Sequence, residues 1–419
     1  MQVLWFANSP CNYKVCGGFE EVGYNGGGWM TSLQDKIEKC DDIKLGICFV
    51  MDNQPSKIVQ NNVVYYPVAT PAKSVKERIR GYLKYRDVTV DKAVWSYYIE
   101  KFKDVIKDFR PDVIHLFGSE LYMGLACFAS EVPCVLHIQG TLNPYREVLF
   151  PPGLSKWDYT FMDWNPKGIF NRYFEILWWD RNCYRERTIL KKVKHYIGRT
   201  EWDKRTSYVL NPQRRYHFGE EIMRDVFYHP FERKLPNELI ISTVISFPFY
   251  KGYDIILKTA SKLKNDLGLD FEWNVYGNVD PIYIEKRLGI KHQNVNVNLR
   301  GVVSASEIRK IHSVSTLYYH SAYIENGCNA IIEAQMCGCT PIVNYVGGLS
   351  DTVHDKKTGF WVPANDAYQS AFLIKWLYEH PEDNIRIGKQ AASDAFSRHN
   401  PKDIVDNIIR TYRNVINDI

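Results

Sequence analysis

The side chains that could do chemistry are most concentrated around two glutamates, Glu325 and Glu333. Seven residues separate the two. An Asn-Gly pair follows the first and precedes an apolar stretch, which predicts a helix that begins close to Cys328. Free N–H groups at a helix start attract phosphate, and ionised carboxylates accept hydrogen bonds from sugar hydroxyls. The segment therefore predicts a sugar-nucleotide site. The alternative is that both glutamates are solvated surface residues, since this spacing occurs often by chance.

Two basic residues follow predicted strands, at positions where loops of α/β folds border a ligand. Lys251 precedes a glycine and a predicted helix, and a cation there can neutralise the charge on a departing diphosphate. Arg199 is a candidate contact for a phosphate or an acceptor. For Lys251 the competing interpretation is a solvated lysine in a surface loop.

Three consecutive glycines, Gly26 to Gly28, stand before a predicted helix near the N-terminus. Glycine lets the backbone approach a ligand closely, and amides at the helix start can bind an anion. The cluster does not fit the dinucleotide fingerprint, because that motif needs Gly-x-Gly-x-x-Gly directly after a strand. The cluster is either an anion-binding loop or the flexible tip of a hairpin.

The elements that must position these residues follow from periodicity. Short apolar runs alternate with polar loops and helical segments, which is typical of parallel sheets in α/β folds. A charged segment with three prolines, residues 211–236, interrupts the alternation. We therefore predict two Rossmann-like domains, 1–212 and 237–400, and a C-terminal helix at 401–419 that returns to the N-terminal domain. The predicted elements include Val113–Phe117, Glu272–Tyr276, Val295–Leu299 and Pro341–Asn344 as strands and Asn329–Met336 as a helix.

The size and composition of the chain agree with this organisation. A length of 419 residues suits two domains. The longest apolar run, 121–129, is far shorter than the ~20 residues of a membrane-spanning helix. The N-terminus reads as a first strand and not as a signal peptide. The ten cysteines lack the spacing of zinc sites and are expected to be reduced, which predicts a cytoplasmic protein.

Positive charge and aromatic residues concentrate between Leu142 and Lys234. This segment has 18 Lys and Arg against 12 Asp and Glu, although the net charge of the whole chain is only +5. Basic and aromatic side chains together are typical of contact with an anionic membrane surface, a lipid-phosphate acceptor or, less often, nucleic acid. The alternative is a helical region with half-buried aromatics and solvated charges. We predict that the protein does not bind nucleic acid.

The motifs of the C-terminal half are similar to those of the GT-B glycosyltransferases, and specifically of the large retaining family numbered four, the glycosyl transferases group 1. That family has Glu-x7-Glu followed by Ala, a Gly-x-Pro turn and Val-Gly-Gly. A Thr-Gly-Phe run with Val-Pro also fits. The turn here is one residue longer than usual. The matching residues are Glu325, Glu333, Ala334, Gly338, Pro341, Val346, Gly347, Gly348, Thr358, Gly359, Phe360, Val362 and Pro363.

The resemblance implies a role for each candidate residue. Glu333 would hold the nucleotide ribose, and Glu325 would touch the donor sugar ring. Lys251 would stabilise the diphosphate, although the arginine that usually stands five positions earlier is Ser246 here. His137 would lie near the donor sugar, unless it is a core histidine. The remaining predicted donor contacts are Asn326, Gly327, Cys328, Asn329, Gly27, Gly28 and Arg199, the last as a substitute for the missing arginine.

The resemblance further implies a metal-independent, retaining transfer from a UDP- or GDP-sugar to a hydroxyl group of a glycan or lipid-linked acceptor, with no cofactor. No Asp-x-Asp occurs, and enzymes of the other main glycosyltransferase fold typically use that motif to hold a divalent metal. Alternatives on the same fold are an epimerase, a phosphorylase or a noncatalytic subunit that binds a sugar nucleotide. The family also implies polysaccharide biosynthesis. The basic and aromatic segment 142–234 separately predicts peripheral contact with the inner face of a membrane.

Overall fold

The computed structural model of the protein describes residues 1–14, 28–72, 88–229 and 233–418. The chain divides into two units by its internal contacts. Unit 1 comprises Met1–Arg146, Asn165–Ile222 and Pro401–Ile419, and unit 2 comprises Glu147–Trp164 and Met223–Asn400.

The elements of the described residues are as follows in chain order. The strands are β1 (Gln2–Phe6), β2 (Lys44–Val50), β3 (Ile58–Gln60), β4 (Val63–Val68), β5 (Val113–Phe117), β6 (Cys134–His137), β7 (His195–Gly198), β8 (Arg215–Phe218), β9 (Ile240–Val244), β10 (Glu272–Tyr276), β11 (Val297–Gly301), β12 (Leu317–His320), β13 (Pro341–Asn344) and β14 (Phe360–Val362). The helices are α1 (Gly28–Ile37), α2 (Val88–Phe109), α3 (Leu142–Glu147), α4 (Lys156–Thr160), α5 (Pro166–Lys192), α6 (Glu201–Leu210), α7 (Tyr253–Ser261), α8 (Ile282–Leu288), α9 (Ala305–Val314), α10 (Asn329–Met336), α11 (Leu349–Thr352), α12 (Ala367–Glu379), α13 (Pro381–Arg398) and α14 (Pro401–Ile416).

Unit 1 is built on a sheet with the strand order β3-β4-β2-β1-β5-β6-β7-β8. Neighbouring strands are parallel except β3 and β4. β5 is buried at every residue, as expected for a parallel strand covered on both faces. The order reverses between β1 and β5, and ligands bind parallel sheets of this kind at the carboxyl ends of the strands beside such a reversal.

Helix α14 belongs to unit 1, although the whole of unit 2 precedes it in the sequence. Its buried residues follow helical spacing and include Ile404, Ile408 and Tyr412. The Tyr412 hydroxyl accepts a hydrogen bond of 3.1 Å from the indole N–H of Trp5 in β1 and lies 2.6 Å from Nδ1 of His115 in β5. The helix is thus fixed to the centre of the sheet by polar as well as apolar contacts.

Unit 2 has a six-stranded sheet with the order β11-β10-β9-β12-β13-β14, and its paired strands are parallel. This is the doubly wound order in which the first strand, β9, lies in the middle and the chain reverses between β9 and β12. Buried apolar residues of β9, β10 and α7 form the core, including Ile241, Trp273 and Ile256. Both units therefore confirm the predicted Rossmann-like α/β class.

The structure corrects two of the predicted boundaries. Residues 147–164, expected in the first domain, belong to unit 2, because Phe150 and Tyr159 pack on Phe249 with ring centroids 5.6 and 4.9 Å apart. The predicted connection at 211–236 contains β8, which pairs with β7 as an edge strand of unit 1. We did not predict β8 because the segment is rich in charged residues and the strand is only partly buried.

One strand is also displaced from its predicted position. The expected Val295–Leu299 is replaced by β11 at Val297–Gly301, because His292–Val295 form a 3₁₀ turn that ends at Asn296 with φ of 56°. Among the described residues, no helix is both long and apolar enough to cross a bilayer.

Candidate functional site

Lys251 and Glu325 meet at the strand reversal of unit 2. Lys251 lies in the loop after β9, and Glu325 lies in the loop after β12, so both follow the carboxyl ends of neighbouring strands. The Lys251 ammonium group donates a hydrogen bond to Oε2 of Glu325. Only 17% of the lysine side chain and 9% of the glutamate side chain are exposed. The sequence predicted both as site residues but not their direct pairing.

Two glycines of the motifs allow the loops to come this close. Gly252 has φ of 73°, and a Cβ atom there would lie 2.0 Å from the carbonyl oxygen of Ser321. Gly347 has φ of 55°, and its Cβ atom would lie 1.8 Å from the carbonyl oxygen of Glu325. That carbonyl also accepts a 3.0 Å hydrogen bond from the N–H of Gly348. The Val-Gly-Gly motif thus fixes the backbone of Glu325, because only glycine fits both the space and the left-handed conformation.

His320, at the end of β12, is a second cationic partner of Glu325. Its Nε2 lies 3.3 Å from Glu325 Oε2, and its Nδ1 lies 3.3 Å from the Tyr318 hydroxyl and 4.0 Å from the Cys328 sulfur. Burial alone would lower the pKa of His320, but charge on Cys328 and Glu325 and the hydrogen bonds to both raise it to about 9. The sequence interpretation missed this residue; its only signal was a histidine at a strand end close before Glu325.

These partners decide the charge of Glu325. Burial by itself raises the pKa of a carboxyl group, but the charge of Lys251 and the contact with His320 lower the pKa of Glu325 to about 2. The carboxylate is therefore ionised at neutral pH. In return, Glu325 raises the pKa of Lys251 against the opposing effect of burial. The site holds a buried charge pair that can accept hydrogen bonds from hydroxyls and donate them to anions.

The same cluster contains three potential metal ligands. His320, Glu325 and Cys328 each offer one ligand atom, and these atoms lie within 4.8 Å of one another. However, the Lys251 ammonium group contacts the same Glu325 oxygen that faces His320. The two ring nitrogens of His320 also have partners already, Nε2 facing Glu325 and Nδ1 facing Tyr318 and Cys328. These residues fit a protein cation better than a metal ion, and the metal-independent reaction stays a prediction.

Glu333, inside α10, has a different partner. Arg224 donates from Nε to Oε1 at 2.8 Å and from a terminal nitrogen to Oε2 at 2.7 Å, a two-pronged contact. Glu333 is buried, with 6% of its surface exposed. Burial raises its pKa, and Arg224 offsets only part of that effect. Arg224 was not among the predicted site residues.

The start of α10 differs slightly from the prediction. The capping residue is Cys328, with extended backbone and no side-chain capping bond, and the helix begins at Asn329. Asn326 and Gly327, expected to cap the helix, lie two residues and one residue before Cys328 in the loop, and both are buried. The predicted donor contacts of 326–329 therefore lie together between Glu325 and the first turn of α10, and their roles stay predictions.

Unit 1 places polar residues at the carboxyl edge of its own sheet. Glu120 follows β5, and its Oε1 accepts a 2.9 Å hydrogen bond from the N–H of Gly140, which follows β6. Asn8 follows β1 and donates to the carbonyl oxygen of Phe117 at 3.0 Å. Within the described residues, Oε2 of Glu120 and Oδ1 of Asn8 are buried and have no hydrogen-bond partner. Two such orphaned acceptors at a strand reversal can bind hydroxyl groups.

Burial raises the pKa of Glu120 to about 7, with a further contribution from the charge of Glu186. The sequence interpretation missed Asn8 and Glu120, because nothing in their local sequence shows that β1, β5 and β6 bring them together.

His137 is the last residue of β6 and is completely buried. Its ring lies between Trp29 and His115, with centroids 4.9 and 5.4 Å away. Both ring nitrogens are unpartnered among the described residues. Burial, with a smaller effect of Arg199, lowers its pKa to about 3, so the imidazole is neutral. The position is compatible with a core histidine, and the predicted donor contact stays a prediction.

The remaining predicted residues belong to unit 1 or lie outside the described residues. Arg199 forms a 2.9 Å ion pair with Glu221, and the side chains are 6% and 1% exposed. This contact gives Arg199 a structural partner other than a phosphate. Gly28 is the first residue of α1. Gly26 and Gly27 lie outside the described residues.

Comparison with known proteins identifies the domain that carries the Lys251–Glu325 pair. Residues 227–394 match the sequence model of the family described as Glycosyl transferases group 1. This stretch belongs to that family. It contains Lys251, Glu325 and Glu333, so the recognised motifs and the buried charge pair lie in one glycosyl transferases group 1 domain.

Curated relatives and solved structures agree with this assignment. A D-inositol 3-phosphate glycosyltransferase of Pseudarthrobacter chlorophenolicus is 25% identical over 147 residues, 34% of this chain and 35% of that protein. A trehalose synthase of Pyrococcus horikoshii is 26% identical over 193 residues, 44% of this chain and 45% of that protein. The match thus spans less than half the length of either relative.

Two solved structures resemble the whole chain. A sucrose-phosphate synthase from Thermosynechococcus elongatus has a TM-score of 0.72 at 15% identity, covering 100% of this chain and 99% of the other. The Anabaena protein HepE in complex with UDP-glucose has a TM-score of 0.65 at 13% identity, covering 99% and 100%. At this level of identity the likeness shows the fold, and it confirms the predicted GT-B class.

Proposed function

We propose that the protein is a retaining glycosyltransferase that moves a sugar from a nucleotide-diphosphate sugar to a hydroxyl group of a glycan or lipid-linked acceptor, without a metal ion. The observation that carries the proposal is the buried Lys251–Glu325 pair at the strand reversal of a glycosyl transferases group 1 domain. A buried charge pair contributes little to stability compared with apolar packing. Its position next to the start of α10 therefore supports a role in binding.

The proposed chemistry rests on positioning and on charge. An ammonium group has three N–H donors, and Glu325 is the one side chain to which Lys251 donates within the described residues. The remaining donors can contact phosphate oxygens and stabilise the diphosphate as it leaves. Glu325, held by Gly347 and Gly348, accepts from hydroxyls of the donor sugar. The acceptor hydroxyl then attacks the anomeric carbon from the side that the diphosphate leaves. The new glycosidic bond forms as the bond from the anomeric carbon to the diphosphate oxygen breaks, and the hydroxyl proton passes to the leaving diphosphate.

A UDP-sugar is the first choice of donor, because a similar GT-B structure is described with UDP-glucose. A GDP-sugar is the other candidate. We propose that the acceptor molecule binds at the polar edge of unit 1. There, Oε2 of Glu120 and Oδ1 of Asn8 have no hydrogen-bond partner within the described residues. Such atoms suit a hydroxyl-rich molecule. Polysaccharide biosynthesis is the pathway class that fits this acceptor.

A noncatalytic subunit that binds a sugar nucleotide is the second candidate function. It is favoured by Ser246, which replaces the arginine expected beside Lys251. Such a subunit would bind donor and transfer nothing to any acceptor. An epimerase on the same fold would convert one nucleotide sugar into another, and a phosphorylase would cleave a glycoside with inorganic phosphate. Neither would release nucleoside diphosphate together with a new glycoside.

The test is thermal unfolding of the purified protein with UDP, GDP, ADP and CMP, repeated on Glu333→Ala. A ligand at about 100 times its Kd should add roughly 2.7 kcal/mol to the free energy of unfolding. We expect stabilisation by one nucleoside diphosphate and its loss in the variant. Product analysis with the matching nucleotide sugar then separates transfer from the alternatives. No stabilisation by any nucleotide would overturn the proposal.

We also propose peripheral contact with an anionic membrane through residues 142–234, at the cytoplasmic face. In unit 2 the side chains of Trp157, Phe161 and Trp164 are exposed by 51%, 49% and 86%, and their rings form a row with centroid distances of 6.1 and 6.5 Å. Exposed aromatic side chains of this kind mark interaction surfaces. Flotation with anionic liposomes should show binding that the triple serine variant loses; no binding at low or high salt would contradict the proposal.

A further inference from the structure

The contact between Arg224 and the motif residue Glu333 is a polar contact that no motif accounts for. The guanidinium group is planar, and its two parallel N–H bonds to a carboxylate fix the orientation of that carboxylate. Here the two distances are 2.8 and 2.7 Å. About a quarter of the arginine side chain is exposed, against 8% of the glutamate side chain. The carboxylate is therefore held from one side by a residue 109 positions away in the sequence.

Arg224 is itself held in place by the turn that follows it. Residues Asp225–Tyr228 form a 3₁₀ turn, and the guanidinium carbon lies 5.2 Å above the ring of Phe227. Phe227 is buried and belongs to the same apolar cluster as Ile332 and Met336 of α10. The arginine and the helix that carries Glu333 thus share one apolar cluster.

A second link fixes the backbone next to Arg224. The Tyr228 hydroxyl accepts a 3.0 Å hydrogen bond from the N–H of Met223 and donates a 2.8 Å hydrogen bond to the carbonyl oxygen of His399. Tyr228 therefore connects the residue before the arginine to the end of α13. A side chain supported in this way is preorganised, which is expected where the orientation of its partner matters.

The Glu333 carboxylate can accept more hydrogen bonds than Arg224 donates to it, so it can also bind a ligand. An ionised carboxylate offers about four acceptor positions, and Arg224 occupies two of those of Glu333. We infer that Arg224 is a positioning residue, which turns Glu333 so that its two remaining acceptor positions receive the paired 2′- and 3′-hydroxyls of a ribose. The inference rests on the proposed function, because it assigns the ribose of the donor nucleotide to Glu333.

The charge of Arg224 has a second consequence. Burial raises the pKa of Glu333, and Arg224 is the basic residue that opposes this effect. Without the guanidinium group, the buried carboxyl group takes up a proton more readily. A protonated carboxyl group has fewer acceptor positions, so it is a poorer partner for two hydroxyl groups. Loss of Arg224 thus removes the orientation of the carboxylate and favours its protonated form, and both effects weaken ribose recognition.

The experiment compares the affinities for UDP and 2′-deoxy-UDP, measured by calorimetry on the unmodified chain, Arg224→Gln and Arg224→Lys. We expect the unmodified chain to prefer UDP by about tenfold, which corresponds to ~1.4 kcal/mol for one hydrogen bond to a charged group. Arg224→Gln should lose this preference while its affinity for 2′-deoxy-UDP changes little. Arg224→Lys, which keeps the charge but not the planar contact, should recover only part of the preference.

The matched control is Arg386→Gln. Arg386 is a surface arginine of the same unit that is paired with Asp383, and its replacement should leave both affinities unchanged. Tyr228→Phe keeps Arg224 and removes only the hydroxyl link, so it should reduce the preference for UDP by a smaller factor.

Three results are distinguishable. Equal preference for UDP in the unmodified chain and Arg224→Gln would overturn the inference and leave the proposed function intact. Tighter UDP binding by Arg224→Gln would also overturn it, because Arg224 would then compete with ribose. No binding of UDP, GDP or ADP by the unmodified chain would overturn the proposed function itself, and the inference with it.

Discussion

The two glutamates of one motif occupy opposite electrostatic environments. Glu325 has an ammonium group and an imidazole beside it, and its pKa falls to about 2 despite burial. Glu333 has one guanidinium partner, and burial keeps its pKa above the usual value. Both are buried to a similar degree. The difference teaches that the number of cationic partners, and not the depth of burial, sets the direction in which the pKa of each motif glutamate shifts.

Glu120 extends the comparison to a third carboxyl group. No basic side chain contacts its carboxylate within the described residues, and its pKa rises to about 7. Glu325 thus has two cationic partners, Glu333 has one, and Glu120 has none within the described residues. A carboxyl group with no cationic partner can change its protonation state near neutral pH, whereas Glu325 stays ionised.

The largest effect should come from removing the partner of Glu325. Lys251→Met should lower turnover by about 10²- to 10³-fold, as does loss of a donor to developing negative charge. It should also destabilise the fold by about 3–5 kcal/mol, because a buried charge loses its partner. Steady-state kinetics and urea unfolding measure the two effects.

The double variant Lys251→Met with Glu325→Gln is the control for this prediction. It should recover most of the stability and none of the turnover, since the buried charge is gone but the donor is still missing. Recovery of turnover in the double variant would contradict the assigned role of Lys251.

A smaller effect is expected in the pH dependence of stability. The folded-state pKa of Glu325 lies below its unfolded value, so its contribution is present above about pH 4.5 and is lost as the pH falls through about 2. The contribution is roughly 3 kcal/mol, at 1.36 kcal/mol per unit. Urea unfolding between pH 2.5 and 7 should show a weaker acid destabilisation in Glu325→Gln than in the unmodified chain.

Glu333→Gln should behave in the opposite way. Because burial raises the pKa of Glu333, protonation on acidification favours the folded state at this site, and removing the group should not weaken the acid destabilisation. Identical pH profiles for the two glutamine variants would remove the distinction between the two glutamates.

The smallest effect concerns Glu120. Glu120→Gln keeps an oxygen for the N–H of Gly140 but replaces the unpartnered oxygen by an amide nitrogen, a donor. The KM for the acceptor should rise about tenfold, the ~1.4 kcal/mol of one hydrogen bond to a charged group, while the affinity for nucleotide is unchanged. An unchanged acceptor KM would remove Glu120 from the acceptor site.

Much of the fold was predictable because buried parallel strands are rich in apolar residues. Val113–Phe117, Glu272–Tyr276 and Pro341–Asn344 occur where they were predicted. The strand β8, with its arginine and histidine, was not predicted, because an edge strand needs little apolar surface.

The candidate site was predictable only in part. Lys251, Glu325 and Glu333 stand in motifs with local signals. Their partners do not: Arg224 is 109 residues from Glu333, and Asn8 and Glu120 meet only because β1 and β5 are neighbours. Local sequence specifies which residue can bind, whereas the order of strands in the sheet specifies what it contacts.

The hydroxyl of Tyr412 has a consequence for the order in which the protein can fold during synthesis. Its bond to Trp5 joins residues 407 positions apart, and the helix that carries it leaves the ribosome after the whole of unit 2. Contacts of such long range form late, since their closure entropy must be overcome first. Unit 2 can therefore complete its core while the chain is still being made, whereas unit 1 gains the contacts of Tyr412 with Trp5 and His115 only after synthesis has passed residue 412.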